Sequence, residues 1–240
     1  MQNVTGNIYI LDVEGALCAN ETLINPDFKS WLMRWAKTRT VYLSTDNNFT
    51  QTLHLLGSYM CLSINEIHHS CGNAVWAAGV EKSKSRWQVP PKARAWLEFE
   101  IRKSGFQSYS ADKMEDRPGM TYASVVGVKP LEKEKAGYLT WDKQYSERAQ
   151  IIDAFNANFP ELTAHYSGDV GICITEAGKN KGQIVGRVLS KERPIVYFGY
   201  KIGPRSCDQD IVDQLRENDK WYSVNDWQET WKILKTQYNA

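Results

Sequence analysis

Short apolar runs alternate with amphipathic segments at the start of the chain. Residues 7–11 and 40–43 are apolar runs typical of buried strands. Residues 26–36 and 51–59 have the periodicity of helices that bury one face. This strand–helix–strand–helix order predicts an α/β fold with a Rossmann-like parallel sheet.

The pattern changes near residue 81. Residues 81–94 are charged and contain two consecutive prolines, which favours a linker or a domain boundary. Beyond it we expect helices at 92–104, 146–159, 181–190, 208–217 and 226–238, and strands or β-rich segments at 120–128, 171–175, 194–198 and 222–224. We therefore predict a core domain formed by 1–80 and 181–240, with an inserted α+β cap domain at 81–180.

Composition excludes some classes of protein and leaves others. The 240 residues carry a formal net charge of +1, which indicates neither nucleic acid nor a membrane as a partner. The sequence opens with no signal-peptide pattern and has no apolar stretch long enough to span a bilayer. The five cysteines lack paired spacing, which favours reduced thiols and a cytoplasmic location. His68 and His69 are far from any cysteine pair, so we expect ordinary surface or turn residues.

Two carboxylates follow the first predicted strand. Asp12 ends this strand and Glu14 comes two residues later, on the same side of an extended backbone. Gly15 then allows the backbone to turn away closely. Such a pair suits phosphoryl transfer, with one group as the nucleophile and the other as the proton carrier. An acidic strand end followed by a turn is the alternative that these residues alone leave open.

Further polar residues follow other predicted core strands. Ser44 and Thr45 come directly after 40–43, and a hydroxyl with neighbouring backbone amides can hold phosphate oxygens. Lys181 precedes a predicted helix, where a cation can neutralise a phosphate. Asp208 lies in the loop after 194–198 and could supply a carboxylate to Mg²⁺. Because ligands bind at the carboxyl ends of parallel strands, these side chains are expected to lie close together.

In this order the residues resemble the haloacid dehalogenase (HAD) superfamily, and within it the eukaryotic-type phosphomannomutases with an α/β cap. The likeness extends over nearly the whole chain. In the core, residues 12–17 match the motif DxDGTL, and Ser44, or less well Thr45, matches the hydroxyl of the second motif. Lys181 matches the lysine of the third motif, 198–208 match FGDKTxPGGND, and 221–224 match the closing GYSV. In the cap, 117–120 match RNGM, with Ser124 and Gly127 after it.

The resemblance implies a role for each matched position in the chemistry. Asp12 is implied as the nucleophile that becomes phosphorylated, and Glu14 as the general acid and base. Ser44 and Lys181 are implied to orient the phosphoryl group and balance its charge. The implied cofactor is Mg²⁺, held by Asp12, Asp208 and the backbone carbonyl of Glu14.

The resemblance also implies how a substrate is held. Arg117 is expected to bind a second, non-reacting phosphate with its planar guanidinium. The remaining implied substrate-binding residues are Met120, Ser124 and Thr45. The implied partner is a small phosphorylated metabolite, with a sugar phosphate as the expectation, and a homodimer formed through the cap is left open.

Several positions depart from the family pattern. Glu14 stands where the family has Asp, and a shift of about 1 Å in a reacting group can cost roughly a hundredfold in rate. Tyr200 replaces a metal-binding Asp after Phe198-Gly199. In the cap, Val128 replaces an Arg, and Cys173 is near the position of a sugar-binding Asp.

Two functional hypotheses remain from the sequence. The first is a Mg²⁺-dependent phosphatase or phosphomutase that acts on a sugar phosphate through an aspartyl phosphate. The alternative is a divergent, weakly active or inactive relative that binds a phosphorylated ligand or a protein partner. Asp12, Lys181 and Asp208 favour the first hypothesis, and Tyr200, Glu14 and Ala16 favour the second.

Overall fold

A seven-stranded, mostly parallel sheet forms the core. The computed structural model describes residues 6–188 and 193–239. The sheet has the order β11-β10-β1-β2-β3-β4-β5, and the first five of these strands run parallel. Its strands are β1 (Ile8–Asp12), β2 (Thr40–Ser44), β3 (Glu66–His69), β4 (Ala74–Ala77), β5 (Val80–Lys84), β10 (Ile195–Tyr200) and β11 (Lys220–Val224). The central position of β1 places its carboxyl end in the middle of one sheet edge.

Helices cover both faces of this sheet. They are α1 (Pro26–Ala36), α2 (Phe49–Leu56), α3 (Ser58–Leu62), α7 (Gln183–Val188), α8 (Gln209–Val212) and α9 (Trp227–Gln237). Asn25 caps α1 by accepting hydrogen bonds from the amides of Asp27 and Phe28, and Pro26 fits the first turn because it needs no donor there. Phe28 of α1 stacks on Trp227 and Trp231 of α9, which fixes the two helices together.

A second sheet and three helices form the cap. Its four antiparallel strands have the order β6-β7-β9-β8, with β6 (Met114–Arg117), β7 (Met120–Ser124), β8 (Leu162–Ser167) and β9 (Gly171–Glu176). The helices are α4 (Pro91–Arg102), α5 (Glu132–Tyr145) and α6 (Glu147–Asn158). They bury a separate apolar cluster that includes Tyr138, Ile152 and Phe155.

The prediction of a parallel-sheet α/β core with an α+β cap is confirmed. The assignment of 1–80 and 181–240 to the core stays a prediction, although β5 continues the core sheet into residues that the sequence assigns to a linker. The predicted helix at 51–59 is two helices, because Gly57 has φ +76 and ends α2. The predicted helix at 208–217 is only Gln209–Val212, and residues 189–190 of the helix at 181–190 lie outside the described residues.

The prediction for the two adjacent histidines is wrong. His68 and His69 lie on β3 and are almost completely buried, with exposed fractions of 0% and 1%. β3 pairs with β2 along one edge and with β4 along the other, so it is an interior strand. On its faces His69 contacts Thr52 and Phe49 of α2, and His68 packs beside Tyr42. Burial lowers the pKa of His68 to about 3 and that of His69 to about 4, which keeps both imidazoles neutral.

All five cysteines are buried free thiols. Within residues 6–188 and 193–239, none of the helices combines the length and apolarity that crossing a bilayer requires.

Candidate active site

A buried ammonium group joins two carboxylates at the carboxyl edge of the core sheet. Asp12 ends β1, and Asp208 lies in the loop after β10. The Lys181 Nζ atom donates to Asp12 Oδ1 at 2.7 Å and to Asp208 Oδ1 at 2.6 Å. The side chains are 8%, 4% and 3% exposed for Asp12, Asp208 and Lys181, so water screens these contacts little. Three residues far apart in sequence thus meet at one edge of the core sheet.

The charges of these three groups do not balance. Burial raises the pKa of Asp12 well above its usual value, and the nearby Asp208 carboxylate adds to this, while Lys181 partly offsets both. Burial alone would lower the pKa of Lys181, but Asp12 and Asp208 raise it well above the usual value. Lys181 therefore stays positively charged, and two carboxylates compete for one cation. With both carboxylates ionised, as binding of a cation requires, these three groups lack one positive charge.

Glu14 lies past the end of β1, in a loop that its own side chain helps to hold. One carboxylate oxygen accepts from the Glu21 amide at 2.6 Å, and the other accepts from Asn47 Nδ2 at 2.7 Å. Burial raises the pKa of Glu14, with a further contribution from the Asp46 carboxylate. A raised pKa suits a group that must give up a proton near neutral pH.

The hydroxyls of Ser44 and Thr45 have different environments. Ser44 is paired in register with Asp12 and is fully buried, and its Oγ has no hydrogen-bond partner among the described residues. Thr45 Oγ1 accepts from the Asn47 amide at 3.1 Å and so supports the turn after β2. A buried hydroxyl without a partner is costly, and Ser44 lines neither of the two cavities described below.

Tyr200 covers the loop beside Glu14. A methyl group built on Gly15 would overlap the Tyr200 ring, so the ring lies directly on the Gly15 backbone. The Tyr200 amide donates to Asp208 Oδ2 at 2.9 Å, and Lys201 Nζ lies 4.5 Å from the centre of the ring. The phenol side chain therefore occupies the side of the site where the family pattern has a carboxylate.

The remaining oxygen ligands fit Mg²⁺. Asp12, Asp208 and the Glu14 carbonyl supply hard oxygen donors, and the pair of carboxylates has the uncompensated negative charge described above. Mg²⁺ commonly binds one or two carboxylates and keeps several waters, so a third carboxylate is not required. Across residues 6–188 and 193–239 no three His, Cys, Asp or Glu side chains are grouped as a metal cluster.

Two adjoining cavities lie between core and cap. The first, here called the catalytic cavity, has a volume of about 300 Å³ and is lined by Asp12, Lys181 and Asp208. The second, here called the cap-side cavity, has a volume of about 360 Å³ and contains Arg117. Both are lined by Glu14, Asp46, Gly168 and Asp169. A ligand that fills both cavities would pass Glu14.

Of the cap residues predicted to bind substrate, only Arg117 lines a cavity. Met120 is 1% exposed and packs against Cys71, Cys173 and Cys207. Ser124 is 1% exposed and donates to the Val170 carbonyl at 3.0 Å. The structure thus buries these two side chains, and neither of them lines a cavity.

Sequence reasoning missed several residues that the fold brings to the cavities, among them Asp46, Lys135 and Asp169. Asp46 follows Ser44 and Thr45, so its place after β2 was a usable signal, and Ser167 of the cap donates to its carboxylate. Lys135 and Asp169 belong to cap segments with no motif, and only the packing of α5 and of the turn between β8 and β9 brings them to the site.

Comparisons with known proteins agree with this architecture. No family model matches the chain. A phosphomannomutase from Glycine max is 22% identical over 226 residues, which cover 88% of each sequence.

Solved phosphatase structures share the fold. The C-terminal domain of trehalose-6-phosphate phosphatase from C. albicans superposes with a TM-score of 0.63 at 10% identity, over 95% of this chain and 90% of that one. IMP-nucleotidase from Plasmodium falciparum gives a TM-score of 0.63 at 11% identity, over 97% and 68%. A phosphatase of the HAD superfamily from Bacteroides thetaiotaomicron gives 0.57 at 15% identity, over 98% and 96%. The chain therefore has the fold of the haloacid dehalogenase superfamily, together with sequence similarity to a phosphomannomutase.

Proposed function

We propose that this protein is a Mg²⁺-dependent phosphatase that hydrolyses a small phosphorylated metabolite, with a sugar phosphate as the expected class, through an aspartyl phosphate on Asp12. One observation carries the proposal: the Lys181 ammonium group holds Asp12 and Asp208 together at the edge of the core sheet. The unpartnered Ser44 hydroxyl beside Asp12 supports it.

The residues supply the parts of a two-step transfer. An Asp12 carboxylate oxygen attacks phosphorus, and the bond from phosphorus to the leaving oxygen breaks as Glu14 gives that oxygen a proton. Glu14 then takes a proton from water, whose oxygen attacks phosphorus and releases inorganic phosphate and free Asp12. Lys181 and Ser44 hold the phosphoryl oxygens, because positioning and charge stabilisation do most of the work in this reaction.

A bound Mg²⁺ would be held by Asp12, Asp208 and the Glu14 carbonyl. It would supply the positive charge that the two carboxylates lack and would neutralise charge on the phosphoryl group.

The test compares the protein with its Asp12→Asn variant. Phosphate release from a panel of sugar monophosphates is measured with Mg²⁺ and with EDTA. We expect release by the parent with Mg²⁺ only, and none by Asp12→Asn, because an amide is a poor nucleophile. Equal release by parent and variant contradicts the proposal.

One observation favours the second hypothesis, a protein that binds a phosphorylated ligand without hydrolysing it. The Tyr200 ring lies on Gly15, beside the Glu14 carbonyl. Calorimetry with MgCl₂ separates the two: heat of binding that is lost in Asp208→Asn supports the phosphatase, and no heat with the parent supports the binding protein.

A further inference from the structure

The cap-side cavity lies where the leaving group of a substrate would lie. It adjoins the catalytic cavity along Glu14, Asp46, Gly168 and Asp169. If the phosphoryl group is at Asp12, the rest of the molecule extends past Glu14 into this space of about 360 Å³. The charges in the cavity then decide which leaving groups can bind.

Arg117 is already paired inside the protein. Its Nε donates to Glu115 Oε2 at 2.7 Å, and its Nη2 lies 2.7 Å from the same oxygen. Its Nη1 donates to the Asp46 carbonyl at 2.9 Å, and the guanidinium lies 4.8 Å from the Tyr122 ring centre. Because Glu115 and Arg117 are two apart on strand β6, their side chains point the same way, and the pairing is built into the cap itself. The guanidinium is therefore not free to bind a phosphate in a bidentate way.

Lys135 is neutralised in the same manner. Its Nζ donates to Glu21 Oε2 at 3.0 Å and lies 4.0 Å from Asp169 Oδ2. The Lys135 side chain is 11% exposed and that of Asp169 is 25% exposed, whereas Glu21 is 55% exposed and meets water at its end of the pair. Lys129, the third cation at the cavity, lies at its exposed rim.

Carboxylates and amides provide most of the remaining polar lining, together with His54, Tyr122 and Ser167. Glu21, Asp46 and Asp169 bring three carboxylates to the cavity beside the Glu14 carboxyl group, and a fourth, on Glu115, is paired with Arg117, against the three cations. A second phosphate group would add two negative charges to this surface. Asn20 Oδ1, in contrast, is a buried acceptor without a partner among the described residues, and it suits a hydroxyl donor.

From these contacts we infer that the leaving group is an uncharged, hydroxyl-rich molecule, so that the site takes monophosphates and rejects bisphosphates. The inference rests on the proposed function and narrows it. A mutase reaction passes through a bisphosphate that must bind in both orientations, so a site of this charge hydrolyses its substrate and does not transfer the phosphate back.

The test uses two pairs of probes with the full chain and Mg²⁺. Glucose 6-phosphate and sorbitol 6-phosphate are compared with glucose 1,6-bisphosphate and fructose 1,6-bisphosphate. We expect kcat/KM to be at least about tenfold higher for the monophosphates, since one unfavourable charge contact of about 1.4 kcal/mol gives a factor of ten. Equal or higher kcat/KM for the bisphosphates overturns the inference.

Variants test the physical reason. Glu21→Gln and Glu115→Gln remove the partners of Lys135 and Arg117, and each is expected to raise the kcat/KM for bisphosphate relative to monophosphate by about tenfold. The exposed cap residue Glu98 lines neither cavity, and Glu98→Gln is the control for a change in surface charge. An equal change in all three variants, or none in any, contradicts the role given to the pairing.

A binding measurement keeps this test separate from that of the proposed function. No phosphate release from any probe, or the same release from Asp12→Asn, refutes the phosphatase alone. Calorimetry of glucose 6-phosphate and glucose 1,6-bisphosphate with the Asp12→Asn protein then decides the inference. Tighter binding of the monophosphate supports it, and tighter binding of the bisphosphate, or binding of neither, overturns it.

Discussion

The contact between Tyr200 and Gly15 gives a quantitative prediction about the most unusual part of the site. Gly15 has φ +85, and its amide donates to the Cys18 carbonyl at 2.7 Å in a tight loop. In Gly15→Ala the left-handed backbone costs about 1–2 kcal/mol for a residue with a Cβ. Overlap of the new methyl group with the Tyr200 ring adds about 1–3 kcal/mol. The free energy of unfolding is thus expected to fall by about 2–5 kcal/mol.

A double-mutant cycle separates the two contributions. In a Tyr200→Ala background the ring is gone, so Gly15→Ala should cost only the backbone part of about 1–2 kcal/mol. Urea unfolding of the four proteins gives the free energies, with the denaturant slope checked for constancy. The same cost of Gly15→Ala in both backgrounds would show that the ring does not lie on Gly15. The space beside the Glu14 carbonyl would then be open, and the account of Tyr200 would fail.

Two further predictions concern buried ionisable groups. Lys181→Gln leaves Asp12 and Asp208 unpaired, so it is expected to lower the free energy of unfolding by about 3–5 kcal/mol in EDTA. Mg²⁺ should raise the melting temperature of this variant more than that of the parent. An equal rise in both proteins would contradict the idea that Lys181 and Mg²⁺ both neutralise these two carboxylates. Because burial holds the pKa values of His68 and His69 at about 3 and 4, the unfolded chain binds protons that the folded chain does not. The free energy of unfolding should therefore decrease as the pH falls below about 6.5, the pKa of a histidine in the unfolded chain. The expected decrease between pH 7 and pH 5 is about 2 kcal/mol for each histidine. Urea midpoints at the two pH values check this, and a His68→Gln/His69→Gln variant that loses as much stability on acidification would exclude the histidines as the cause.

The sequence was sufficient to predict the end of a helix where the residues at that end determine it. Asn25 and Pro26 placed the start of α1 correctly, because the cap bonds and the missing donor are local properties. Helix α5 (Glu132–Tyr145) was missed, since its charged residues hide the helical period, and packing of Tyr138 in the cap interior stabilises it. Tertiary packing also decided the burial of His68, which lies on an interior strand of the core sheet and packs beside Tyr42.

Some features of the candidate site could likewise be predicted from the sequence, and others could not. The strand-end positions of Asp12 and Asp208, with Lys181, could be predicted because parallel strands bring their carboxyl ends to one edge. The state of Arg117 could not, because it depends on the Asp46 carbonyl, which lies far away in the sequence. Its pairing with Glu115 has a local signal in the two-residue spacing, but that signal alone does not show that the pair faces a cavity.

The central claim is that Asp12 carries the phosphoryl group during turnover. Its most direct test is to mix the protein with Mg²⁺ and a sugar monophosphate, quench with acid, reduce with borohydride and analyse the peptides by mass spectrometry. Borohydride converts an aspartyl phosphate to homoserine, so we expect homoserine in place of Asp12, and only when substrate was present. Unmodified Asp12 under conditions in which phosphate is released would contradict it.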